Sequence, residues 1–344
     1  MPISERSVIG QVEIAKAAGV SAATVSNTIN KPHLVTASTR KKVLAAMRRL
    51  DFVPNEAAAS LRRGTNRLLG LVVPDITNPF YAAIAEGVTS EADRRGYSVV
   101  LCNSQDNPTH ELNQLQMLGQ LRTAGALVVP LTADYSRLNR LRELGVRLIL
   151  MDRKAALSDG CSASIDDVLG GRLAVRHLLE TRGPDLVLLN GPESIAQCQD
   201  RREGALAAYA DAGLDPRRLR ELRVSNMDVQ QGREAVTRLL ENGALPQSIF
   251  ATNDLLAWGV ISKLVATGLQ IPHDIAVVGY GDLAIAQNLP VPLTTVEQPK
   301  TELGRAAVEM ILAEIDQNED LHRHSTREFR PRLIVRESAP RKDE

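Results

Sequence analysis

Acids, amides and arginines stand directly after short apolar runs in this sequence, and that is where chemistry is first expected. Asp75 and Asn78 follow LLGLVV, Asn103 follows YSVVL, Asp152 and Arg153 follow RLILM, Asn253 and Asp254 follow SIFAT, and Gln298 follows TTVE. In open α/β sheets, ligands bind just beyond the carboxyl ends of the strands. Arg201 and Arg202 read as the start of a helix, where a cation opposes the macrodipole and a polar ligand would explain it. Phe80 and Tyr81 add flat apolar faces in a chain with only 3% aromatic residues. Such a set converging on one cleft suits a hydroxylated, sugar-like molecule better than an apolar one. Each residue taken singly has a ready alternative as a cap or loop residue; the shared position at strand ends is what favours a ligand.

No catalytic constellation accompanies them. The chain holds no GxGxxG after a strand, no Walker A, no GxSxG and no HExxH. The six histidines are dispersed, and His322 and His324, which could share a strand face, have no cysteine near them in sequence. They read as surface residues, so no metal and no cofactor are expected.

A second chemistry-bearing stretch is VEIAKAAGVSAATVSNTIN, Val12 to Asn30. Ile14, Ala15 and Ala18 give a first helix an apolar side, and Gly19 suits the left-handed turn that ends it. Val20 is expected inside the turn. Ser21 can cap a second helix, with Val25 and Ile29 facing inward and Ala22, Ala23, Thr24, Asn27 and Thr28 outward. A helix-turn-helix of this kind can place its second helix in a DNA major groove; an ordinary helical hairpin is the bland alternative. A third helix follows from Thr36 to about Leu50, with Val43, Met47 and Leu50 inward. Helix N-termini and the hydroxyls of Ser21, Thr24, Thr36 and Thr39 could meet backbone phosphates, although each hydroxyl also serves as a normal cap. Then PNEAAASLRRG, Pro54 to Gly64, carries every local helix signal in only two turns, too few to persist alone in water. Against DNA and a second subunit it would form a hinge helix with Leu61 as a minor-groove wedge; a plain linker is the alternative.

Charge supports this division. Residues 1–63 hold ten Lys and Arg against four Asp and Glu, while the remainder holds 31 against 37, so a basic head joins an acidic body. A polyanionic partner is expected for the head alone. Three scattered cysteines form neither a disulfide framework nor a CxxC pair, which points to a reducing compartment. Residues 1–20 lack the apolar core of a signal peptide and no apolar run reaches membrane-spanning length, so a cytoplasmic protein without membrane contact is expected.

The elements that must position these residues start at Leu68. Seven apolar runs (68–73, 97–101, 126–131, 147–151, 186–190, 248–252 and 275–280) are followed, in most cases, by amphipathic stretches at about 79–95, 108–122, 136–144, 168–181, 200–212, 230–242 and 254–267. Buried parallel strands with crossover helices explain the pattern. Two α/β lobes of doubly wound parallel sheet are expected, with a break near residues 160–168. TTVEQ (294–298), a helix near 301–318 and a strand near 329–335 would cross back between lobes. The expected domains are a headpiece over 1–53, a hinge helix over 54–64 and a core over 65–344. Lobe one of that core would span about 66–163 and 299–326, and lobe two about 164–298 and 327–344.

AGVSAATVSNTIN, then VTASTRKKVLAAMRRLDFVPNEAAASLRRG and LGLVVPDITNPFY, resemble the lactose/galactose-repressor family of bacterial transcription regulators. The resemblance continues through NDLLAWG, IAVVGYGD and LTTVEQPKTELG to LIVRES, essentially the whole chain. It implies a homodimer that reads a near-palindromic operator through its headpieces, and a periplasmic-binding-protein-like core that holds a small effector between its lobes. By position, Ala22, Ala23 and Asn27 match the base-reading residues, with Ser21, Thr24, Asn30, Thr36 and Thr39 beside them. In the hinge, Leu61 matches the wedge and Asn55 and Arg62 flank it. Asn78, Phe80, Tyr81, Asp152, Arg153, Arg201, Asn253 and Gln298 match sugar-contacting positions, and Asp75 and Asp282 join them as candidates. Two departures stand out: Asn27 replaces a longer side chain, often Arg, and Gly281 stands where members have an Asp directly after the aromatic. The missing carboxylate tilts the expected effector toward a sugar acid or sugar phosphate, with an inward Asp282 and a neutral sugar as the alternative. No leucine-rich tail follows Glu337, so a dimer is expected. The function implied is an effector-controlled repressor. The alternatives are a regulator dependent on a corepressor or phosphocarrier, a sugar-binding protein without DNA function and an α/β enzyme on a sugar.

Overall fold

The computed structural model describes residues 10–52, 66–132, 135–143, 145–317 and 322–342. These form two units, divided after Asn66. The first is a helical headpiece of α1 (Gln11–Ala18), α2 (Ala22–Asn30) and α3 (Ala37–Arg49). Glu13 accepts a hydrogen bond from the Gly10 backbone at 2.9 Å and opens α1. Gly19 closes it at φ +67°, in the left-handed region. The Ser21 and Thr36 hydroxyls accept from the backbone N–H of Thr24 and Thr39 and cap α2 and α3. Ile14, Ala15, Val25, Val43 and Ala46 form the buried core, with Val20, Ile29, Met47 and Leu50 packed around it. One expectation is corrected: Thr28 is buried, not outward, and its hydroxyl donates to the Thr24 carbonyl at 2.8 Å. The hydroxyl is satisfied within its own helix, so Thr28 can join the core at little cost.

The second unit holds two six-stranded sheets, with strand order β11-β5-β4-β3-β1-β2 in one and β12-β10-β9-β8-β6-β7 in the other. Lobe one contains β1 (Leu68–Val73), β2 (Ser98–Asn103), β3 (Gly125–Val128), β4 (Arg147–Met151), β5 (Cys161–Ile165) and β11 (Thr326–Phe329). Its helices are α4 (Pro79–Arg94), α5 (Pro108–Gln120), α6 (Ser136–Glu143) and α11 (Lys300–Asp316). Lobe two contains β6 (Leu186–Asn190), β7 (Arg220–Arg223), β8 (Ser248–Ala251), β9 (Ala276–Gly281), β10 (Thr294–Glu297) and β12 (Arg332–Ile334). Its helices are α7 (Asp167–Arg182), α8 (Ala196–Asp211), α9 (Val229–Glu241) and α10 (Asp254–Ala266). All pairings are parallel except β10 with β12. β1 lies between β2 and β3, and β6 between β7 and β8. Each lobe therefore has a switch point at its first strand, where a ligand crevice opens.

The single late strand expected at 329–335 is in fact two. Residues up to Phe329 pair with β5 in lobe one, and those from Arg332 pair with β10 in lobe two. The lobes are thus joined after Ile165, between Glu297 and Lys300, and between Phe329 and Arg332. Three strands carry no apolar run to reveal them, β5, β7 and the polar β11 (TREF). β5 (CSASI) is built of small residues, and β7 (RELR) is an edge strand with polar side chains.

Candidate functional site

A cleft of about 680 Å³ opens at the carboxyl ends of both sets of strands. Asp75, Asn78, Phe80, Tyr81, Asp106 and Asp152 line it from lobe one, and Gln197, Arg201, Asn253, Tyr280 and Gln298 from lobe two. Eight of the ten sequence-predicted effector residues are therefore brought together. Two are not. Arg153 lies outside the lining, beyond the left-handed turn at Asp152, and its Nε is buried without a hydrogen-bond partner. Asp282 is held away from the cleft by Arg336, which pairs with its carboxylate at 2.7 Å. Gly281 precedes it at φ +133° and lines the cleft with bare backbone. A Cβ there would lie 3.4 Å from the Asp254 carboxylate, so a carboxylate at 281 would crowd that of Asp254.

Asp152 is the focus of the site. It is 5% exposed and sits at φ +55°, a left-handed conformation uncommon for a residue with a side chain. The Gln197 amide donates at 2.8 Å to both its backbone carbonyl and its Oδ2, linking lobe two to lobe one. Oδ1 has no partner. Burial, and then the nearby Asp167 carboxylate, push the Asp152 carboxyl up to about 7. The buried Gln298 Nε2 likewise has no partner. The Tyr280 hydroxyl has none either, so three buried polar atoms of the described lining residues are unfilled.

Arg201 is not at a helix start. α8 begins at Ala196, a full turn earlier, so the macrodipole reading of Arg201 is corrected. The side chain is buried, with Nε donating to Asp167 at 2.8 Å and a terminal nitrogen donating to the Thr252 carbonyl at 2.7 Å. Its guanidinium stacks over the Tyr280 ring, 3.9 Å from the centroid. Gly170 and Gly171 make this possible: a Cβ would meet the Tyr280 hydroxyl at 2.1 Å from the first and the Arg201 carbonyl at 2.1 Å from the second. Two amides have structural duties besides lining the cleft. Asn78 caps α4, and Asn253 caps α10 while donating to the Met227 carbonyl at 2.8 Å.

Gln197, Asp167 and Tyr280 are not apparent from sequence. Asp167 has the same signal as the others, an acid just past a strand, but β5 itself is hidden by its small residues. Tyr280 is absorbed into an apolar run, and nothing local marks Gln197.

In the headpiece, Ser21, Thr24, Asn27, Thr36 and Thr39 line one concavity with Val20, Leu34 and Val35. Ala22 and Ala23 are exposed on the first turn of α2. The side chain of Asn30, and the whole of Asn55, Leu61, Arg62 and the hinge over 54–64, lie outside the described residues.

Residues 12–55 match the model described as bacterial regulatory proteins, lacI family. Residues 66–331 match that of periplasmic binding proteins and the sugar binding domain of the LacI family. The chain belongs to the LacI family. It is 36% identical to the ribose operon repressor of Escherichia coli (strain K12) over 308 residues, 89% of this chain and 92% of that one. It is 32% identical to the HTH-type transcriptional repressor PurR of Photobacterium profundum over 330 residues, 95% and 97% of the two chains. Its fold superimposes on the lac repressor dimer bound to operator and the anti-inducer ONPF with a TM-score of 0.84, at 25% identity, covering 96% of this chain and 99% of that one. The protein is accordingly a DNA-binding transcriptional regulator under the control of a small molecule. Among the described residues no helix is long and apolar enough to cross a membrane.

Proposed function

We propose that the effector is a small uncharged sugar, and that its arrival in the cleft controls a homodimer bound to a near-palindromic operator. The carrying observation is the set of unpartnered polar atoms, Asp152 Oδ1, Gln298 Nε2 and the Tyr280 hydroxyl, in a cleft with an acidic lining. Asp75, Asp106, Asp152 and Asp228 all face it, and Arg201 is the sole cation among the described lining residues. That arginine is already neutralised by Asp167. A sugar acid or phosphate would meet the four carboxylates of the lining with Arg201 already paired and Arg153 outside that lining, so the anionic effector expected from Gly281 is not retained. The relationship to a ribose operon repressor supports the same class.

The test is calorimetry on the full chain with pentoses, hexoses, their acids and phosphates, and purine bases. An uncharged sugar is expected to bind best. Hydroxyls donating to Asp152 favour its ionised form, so binding should release a proton near neutrality. Affinity should rise with pH as the carboxyl ionises around pH 7, then level off. Tight binding of an acid or phosphate, with no binding of its parent sugar, would refute the reading.

For the operator, Ala22 and Ala23 suit thymine methyl groups and Asn27 an adenine edge. Ser21, Thr24, Thr36 and Thr39, grouped around two capped helix N-termini, suit phosphates. Asn27→Arg is expected to move one half-site position toward guanine, by roughly 1–3 kcal/mol for a good bidentate pair. Selection from a random-sequence library measures this, and an unchanged consensus would remove Asn27 from the reading surface.

A further inference from the structure

In lobe one, away from the cleft lining, four potential ligand side chains meet that are scattered through the sequence. Cys161 opens β5, Glu314 lies in the last turn of α11, and His322 and His324 lie just before β11. One donor atom from each lies within 4.8 Å of all the others. Cys161 Sγ is 3.2 Å from His322 Nε2 and 3.6 Å from His324 Nδ1. His322 Nε2 is 3.6 Å from Glu314 Oε2. That oxygen is buried and has no hydrogen-bond partner. Such packing of a thiol, two imidazoles and a carboxylate has no evident use in apolar packing.

The separations of 3.2, 3.6 and 3.6 Å lie close to those between neighbouring ligands of a tetrahedral cation. Zinc bonds of about 2.3 Å to sulfur and about 2.0–2.1 Å to nitrogen or oxygen put neighbouring ligand atoms about 3.3–3.6 Å apart. Supporting contacts are also in place. The backbone N–H of Ser325 donates to Cys161 Sγ at 3.4 Å, an outer contact that orients the sulfur. Gln317 Oε1 lies 3.3 Å from His322 Nδ1. A hydrogen bond there fixes the ring and leaves Nε2 free to bind a metal. The donor set of one soft sulfur, two imidazoles and one carboxylate suits zinc and excludes calcium or magnesium, which take oxygen cages.

We infer that Cys161, Glu314, His322 and His324 form a four-ligand site for a zinc-class divalent cation. Four protein ligands leave no open coordination position, so the ion is structural. It ties the end of α11 and the entry to β11 onto the first residue of β5. β5 and β11 are the adjacent strands at that edge of the lobe-one sheet. By sequence alone His322 and His324 lack a cysteine to complete a site; Cys161 supplies it from 161 residues away.

The test uses untagged full-length protein, first stripped with chelator, then incubated with zinc or cobalt(II) and dialysed at neutral pH. One zinc per chain is expected, with a rise of several degrees in the core's melting temperature, because the ion binds the folded state. Cobalt(II) should give a thiolate-to-cobalt charge-transfer band. Cys161→Ser should abolish the band, and His324→Ala, at an exposed position that leaves the fold intact, should weaken zinc binding at least about tenfold. Failure to retain zinc, a cobalt spectrum without thiolate absorption, or zinc affinity unchanged by His324→Ala would each overturn the assignment.

Discussion

Replacing Arg201 by alanine is expected to destabilise the core by roughly 3–5 kcal/mol, because it strands the buried Asp167 carboxylate without its partner. For a domain of this size the melting temperature should fall on the order of 10 °C. Thr252 would lose a donor to its carbonyl and Tyr280 the cation stacked on its face. The loss should be partly reversed by Asp167→Asn in the same chain, since the second change removes the unpaired charge and leaves only a neutral polar group to satisfy. Thermal or denaturant unfolding of the wild type and the two variants measures this. A single variant as stable as the wild type would mean that Asp167 is solvated or protonated at no cost. Arg201 therefore serves first as a beam under the cleft floor, and any loss of effector binding in Arg201→Ala must be judged against its stability.

Asp152→Ala should behave in the opposite way. Each hydroxyl bond lost from a carboxylate is worth roughly 1.5–3 kcal/mol, so effector affinity should fall between about tenfold and about 150-fold for every bond made. Operator binding should stay near wild type, leaving a regulator that no longer responds. Stability should not suffer. The Asp152 carboxyl titrates near 7 in the fold against 3.8 as an unhindered group. Its ionisation therefore weighs against the folded state progressively as pH rises through that window. The alanine variant lacks this burden, and without effector its stability should fall less steeply from pH 4 to 7 than that of the wild type. Gel shifts with and without effector, calorimetry and pH-resolved melting separate these effects. Retained effector response in the variant would refute the central place given to Asp152.

The contrast between these two residues reflects how much of the site is legible in the sequence. Asp152 stands alone after a five-residue apolar strand, and local sequence is enough to put it at a sheet's carboxyl end. The same reasoning locates Asp75, Asn78, Asn253 and Gln298, since a polar residue that ends a buried strand must emerge at the crevice. It cannot foresee what those side chains bond to. Asn78 and Asn253 are helix caps as well as lining, and Asp282 is turned away by Arg336, 54 positions further along. Arg201 draws notice for a helix-start position that it does not occupy, and its real partner follows a strand too short of large apolar residues to be seen.

The sequence by itself determined the helix-turn-helix headpiece, the alternation of buried strands with amphipathic helices and the two-lobed core. All of these are written in local spacing, caps and apolar periodicity, which act over a few residues. Only the tertiary structure decided that Gln197 bridges to Asp152, that Asp167 neutralises Arg201 and that the cleft is acidic. Only it gathers Cys161, Glu314, His322 and His324 within 4.8 Å. Those contacts span tens to more than a hundred residues, and their energies depend on burial and on the sign of neighbouring charge. Both are properties of the packed lobes, and neither exists in the linear chain.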